Sequence, residues 1–132
     1  MTLPITTLTA TILAIIFIVQ TFSVIAIRRS KGIAFGQGDA SENRHLLKRV
    51  RGHANMTEQM PIFLIMLGLL EFQGLSSNTV LHVLAGLFVF GRISHALYFL
   101  DIGFNYRFRT AGMIPSLLAQ IGAAASLVLA FF

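Results

Sequence analysis

The chain has 132 residues, of which 55% are hydrophobic and only 11% charged, with a net charge of +5 and no cysteine. Soluble domains carry about 25% charged residues, so this composition points to a membrane protein, and the length allows one domain, which the apolar segments below make all-α. The absence of cysteine excludes disulfides, thiolate metal sites and a cysteine nucleophile, so any thiol must arrive with a ligand.

Residues 3–27 contain no charge and are long enough to cross a hydrocarbon core of about 30 Å. No basic n-region precedes them and the apolar run is long for a signal peptide, so they read as a retained first helix, with Pro4 in its first turn. A polar loop follows from Arg28 to Lys48. Its glycines and Asp39 break the helix, and Ser41 is the expected N-cap of the next one. The Gly36-Gln37-Gly38-Asp39 run lacks the lysine-serine/threonine ending of a phosphate-binding loop and is set aside as one.

The second span, residues 49–70, begins with a polar stripe. Arg51, Asn55 and Glu58 stand at i, i+4 and i+7 and share one helix face, whereas His53 points elsewhere. After Pro61 the helix turns apolar. A turn at residues 71–78 leads to the third span, 79–100, in which Arg92, His95 and Phe99 share a face. Asp101 to Thr110 reads as a second polar loop carrying Asn105, Arg107 and Arg109. The fourth span, 111–132, is rich in Gly and Ala, which suits close approach to another helix or subunit.

The basic residues cluster in the first and third loops, while the middle loop and both chain ends have none. The positive-inside rule then places those two loops in the cytoplasm and both termini on the other side. It also gathers Arg28, Arg29, Arg51, Asn55, Glu58, Arg92, His95, Arg107 and Arg109 at the cytoplasmic ends of their helices. Such basic residues read as topology determinants and anion partners; no nucleic-acid motif accompanies them. Snorkelling to the headgroups accounts for several arginines taken singly. It does not account for Glu58, a carboxylate about two turns inside its span, which costs about 2.5–3.5 kcal/mol unless paired. Arg51 or Arg92 is a possible structural partner.

A ligand suited to this set is anionic and carries an ammonium. Arginine forks bind carboxylates, a glutamate binds an ammonium, and an asparagine bonds amides of either polarity. Glutathione has all these groups, as would another small peptide. The four histidines are scattered over different segments, and no metal site is expected.

Arg51-x-His53-x-Asn55-x-x-Glu58-x-x-Pro61, Arg92-x-x-His95 and the basic run at Arg107 and Arg109 resemble the signature of a known family. It is that of membrane-associated proteins in eicosanoid and glutathione metabolism, which includes microsomal glutathione S-transferases. The Phe35-Gly36-Gln37-Gly38 loop and the Arg109-Thr110-Ala111-Gly112-Met113 run look most like its small bacterial branch, which implies the inner membrane. The resemblance implies a homotrimer of four-helix bundles that binds glutathione between subunits near the cytoplasmic face. Arg51, Asn55 and Glu58 would contact glutathione, with Arg92 and His95 on the third helix and Arg28 or Arg29 reaching a carboxylate. Arg109, or less well Arg107, would lie near the thiol. The implied activity is conjugation of glutathione to lipophilic electrophiles, or reduction of hydroperoxides. Where many eicosanoid members have a tyrosine, this chain has Phe99. A catalytically silent lipid- or glutathione-binding member is the alternative. A small multidrug transporter fits less well, because the basic surroundings of Glu58 would repel cations.

Overall fold

The computed structural model describes residues 2–36, 39, 41–102 and 106–130. Sequence readings on Gln37, Gly38, Asn105 and the last two residues of the fourth span lie outside them. Four helices follow in order: α1 (Pro4–Lys31), α2 (Arg44–Phe72), α3 (Asn78–Phe99) and α4 (Tyr106–Leu129). Three of them, α1, α3 and α4, are long and apolar enough to cross a membrane. α2 is equally long, but its first half carries the polar stripe; Phe63, Leu67 and Leu70 in its second half are buried in the core.

Helices consecutive in the chain run antiparallel. Ile5 meets Glu71 while Thr21 meets His53 between α1 and α2. Phe63 stacks on Phe88, ring centroids 3.9 Å apart, between α2 and α3. Leu84 lies at Gly122 and Arg92 at Ser116 between α3 and α4. α1 packs on α2 and α3, and α4 on α3 and α2, whereas α1 and α4 do not pack on each other.

The helix ends explain where three expectations fail. α1 continues past residue 27 to Lys31, because only Gly32, at φ 64°, takes the left-handed conformation that closes it. The N-cap of α2 is Asn43 rather than Ser41, whose backbone N–H and hydroxyl both donate to Asp39 Oδ1 in a separate turn. α4 begins at Tyr106, so Arg107 and Arg109 sit in its first turns and not in a loop. Pro4 does occupy the first turn of α1.

α3 ends as α1 and α2 do, with a residue at positive φ and a backbone bond reaching back five residues. Here that residue is Asp101, at φ 63°, where the other two helices use Gly32 and Gly74. Aspartate is one of the few other residues that tolerate this conformation. Its carboxylate is gripped from α2: Lys48 Nζ donates to Oδ1 at 2.6 Å and His45 Nδ1 bonds Oδ2 at 3.0 Å. Burial alone pushes the Asp101 carboxyl up. The hydrogen bonds and charges of Lys48 and His45 outweigh this and hold it below the ordinary carboxylate range.

Candidate functional site

The polar stripe of α2 reaches the surface beside the start of α4. There a cavity of about 200 Å³ is lined by Arg51, Ala54, Asn55, Glu58, His95, Phe99, Arg109 and Met113. Helical spacing accounts for the α2 residues, and i, i+4 spacing for His95 and Phe99, whose rings are 4.5 Å apart. Arg109 and Met113 share a face of α4 by the same spacing.

Two glycine contacts let the helices behind the cavity approach closely. A Cβ on Gly112 would lie 2.6 Å from the backbone N of His95 and 2.7 Å from the Gly91 carbonyl oxygen. Only hydrogen at these positions lets α4 close on α3, which carries Arg109 towards His95. A Cβ on Gly52 would come 2.5 Å from that of Phe99, so Gly52 makes room for the aromatic wall.

Arg92 does not line the cavity. It is 3% exposed and turns into the bundle, where Nε donates to Ser116 Oγ at 3.0 Å and Nη1 to Asn55 Oδ1 at 2.8 Å. The Ser116 hydroxyl in turn donates a hydrogen bond to the Gly112 carbonyl oxygen at 2.8 Å. Arg92 therefore ties α2, α3 and α4 together directly behind the site. With its oxygen held by Arg92, Asn55 retains its amide NH₂ to offer a ligand, so it is a donor and selects for acceptors.

Among the described residues, the ion pairs within 4 Å are His45–Asp101 and Lys48–Asp101. Glu58 is in neither, so neither Arg51 nor Arg92 supplies the structural pairing considered for it. Its carboxylate is exposed at the cavity instead. His53 faces α1, bonded through Nε2 to Thr21 Oγ1 at 3.0 Å and packed on Phe17.

Of the other expected site residues, Arg107 does not line this cavity. Arg28 and Arg29 border a separate surface hollow at the end of α1, with Gly32 and Ile33. Sequence reasoning missed Ser116 and Met113. A lone serine in an apolar helix has no signal of its own, and what marks Ser116 is only its partnership with a buried guanidinium. Met113 stands four residues after Arg109, a spacing that would have found it.

Among the described residues, four helices, three of them of membrane length, with charged groups of both signs lining a cavity between them, define an integral membrane protein of the all-helical class. No curated protein and no solved structure matches the chain. The MAPEG family model matches residues 6–129, and the chain belongs to the MAPEG family.

Proposed function

We propose that this protein binds glutathione in the α2–α4 cavity and activates its thiol, either for transfer to lipophilic electrophiles or for hydroperoxide reduction. The observation that carries the reading is the convergence of Arg51, Asn55, Glu58, His95 and Arg109 on one cavity from three helices. Glu58 would take the ammonium of glutathione, Arg51 a carboxylate, and the Asn55 NH₂ a peptide carbonyl. His95, held against Phe99, would shape the wall.

Glutathione supplies a thiol that is mostly protonated at neutral pH, since free thiols have pKa values near 8.5. Arg109 is the residue to favour the thiolate, because a guanidinium beside sulfur stabilises the negative form. Arg107, which does not line the cavity, is the weaker candidate for that role.

About 200 Å³ is small beside the roughly 300–1,000 Å³ of typical ligand pockets. The cavity also leaves Arg51, Glu58 and Arg109 exposed. A single chain therefore supplies one wall, and a homotrimer in which a neighbour's α1 end brings Arg28 or Arg29 would supply the other. The proposed orientation puts this end of the bundle at the cytoplasmic face of a bacterial inner membrane.

The test is an ultraviolet difference spectrum at about 240 nm, where thiolates absorb, with glutathione titrated into detergent-solubilised protein at neutral pH. A saturable signal lost in Arg109→Ala, with binding weakened in Glu58→Gln, is expected. Calorimetric binding without the thiolate signal would assign a silent binder instead. Absence of both would end the glutathione reading.

A further inference from the structure

At the other end of the bundle, α1 and α3 enclose an open groove of about 440 Å³. His82 of this groove and His95 of the charged cavity are thirteen residues apart on α3, about 20 Å along the helix axis. The two sites are therefore separate. Ile5, Leu8 and Ile12 form one wall, and Ala85, Gly86 and Val89 the other. A Cβ built on Gly86 meets no atom within 4 Å, so α3 leaves real space there. The volume falls within the range of small-molecule pockets.

Polar groups stand at one end of the groove, where the helices terminate. Both oxygens of Glu71 are engaged: Ile5 N–H donates to Oε1 at 2.9 Å and Thr6 N–H to Oε2 at 2.7 Å. The carboxylate is thus set against the positive end of the α1 dipole, which offsets its charge. His82 Nδ1 lies 2.7 Å from the Asn78 carbonyl oxygen, an acceptor, so Nδ1 carries the proton. In the neutral ring this leaves the lone pair on Nε2 as an acceptor at the mouth.

An acceptor beside a compensated carboxylate suits a head that donates a hydrogen bond and bears no charge. A carboxylate or phosphate head would meet Glu71 as a like charge. The walls belong to helices of membrane length, so the medium around them consists of acyl chains. We propose that this groove binds an uncharged single-chain amphiphile with a hydroxyl head, of which a monoacylglycerol is representative. The tail lies between the α1 and α3 walls, and the head hydroxyl donates to His82 Nε2. The site owes nothing to glutathione.

The experiment uses the full chain in phosphatidylcholine nanodiscs and a monoacylglycerol carrying a diazirine in its tail, with labelled peptides mapped by mass spectrometry. Saturable labelling confined to residues 4–12 and 78–89, and competed by unlabelled monoacylglycerol, is expected. Gly86→Leu, which fills open space and raises helix propensity, should lower it at least tenfold. His82→Phe should lower it several-fold, and Gly86→Ala should leave most of it. Unsaturable labelling spread over all helices and unchanged in Gly86→Leu would overturn the site. Equal or better labelling by a fatty-acid or long-chain-amine probe would overturn the assignment of the head. A change of oligomeric state in Gly86→Leu would show that a second copy occupies the groove, and would overturn the proposal as well.

Discussion

Single atoms decide the geometry at several residues. Gly112 and Gly86 are both helical glycines, but one faces backbone and the other faces nothing. Gly112→Ala should force α4 off α3 and cost about 1–3 kcal/mol, the range for overpacking a close contact. Gly86→Ala should be neutral or slightly stabilising. Thermal unfolding in one detergent checks both; equal effects would mean that the α3–α4 approach is not set by Gly112. Asp101 gives a pH-dependent case. Its pKa is depressed in the fold, so its contribution is complete above the unfolded carboxyl pKa of about 3.9 and is lost as pH falls through the folded value. Asp101→Asn keeps a residue that tolerates positive φ and removes the charge. The variant should melt below the wild type at pH 6, with the gap closing below about pH 4. A gap independent of pH would assign the effect to the backbone rather than to the Lys48 and His45 pairs.

Elements are held by partners that sequence spacing does not reveal. Leu3 gives α1 no side-chain cap, and the orphan N–H groups of its first turn are taken by Glu71 at the far end of α2. Glu71→Ala should cost about 1–2 kcal/mol, in the range for loss of a helix cap, with Glu71→Gln in between. Hydrogen exchange at Ile5 and Thr6 should speed up while α3 stays protected. Unchanged exchange in the first turn of α1 would show that Glu71 does not cap it. The same contrast explains what could be read beforehand. Arg51, Asn55 and Glu58 were legible because one helix repeat puts them on one face, and His95 with Phe99 by the same rule. The Glu71 cap spans 66 positions to Ile5, and no local pattern encodes it. Arg92 was legible as a partner for Glu58 or a ligand, but not as the group that Ser116 and Asn55 hold inside the bundle, because a neutral serine carries no signal. The first turns of α4 read as a loop in the sequence because their residues are basic and polar, although the helix simply begins before its apolar part.

On the scale of the whole molecule, the exposed charges at the α2–α4 cavity and the distant arginines of α1 belong to one problem. In the proposed trimer a cyclic interface is heterologous, so one copy presents its α1 end to the next copy's cavity. A chain with Arg28→Ala and Arg29→Ala keeps an intact cavity, and a chain with Arg109→Ala keeps an intact α1 end. Each alone should lose the thiolate signal, the first through weakened binding and the second through loss of activation. Co-expressed and mixed at random, they meet in the productive order at half of one half of the interfaces. About a quarter of the sites should then regain the signal. The signal amplitude per chain at one fixed glutathione concentration in co-purified mixed assemblies measures this, with the two proteins mixed after separate purification as the control. Recovery only in the co-expressed sample would place Arg28 or Arg29 and Arg109 in one site built by two copies. Equal, absent signal in both samples, from chains verified to co-assemble, would mean that α1 does not complete the cavity. Full signal from the Arg28→Ala, Arg29→Ala chain alone would mean that the cavity works within one copy, with its exposed charges met by headgroups instead.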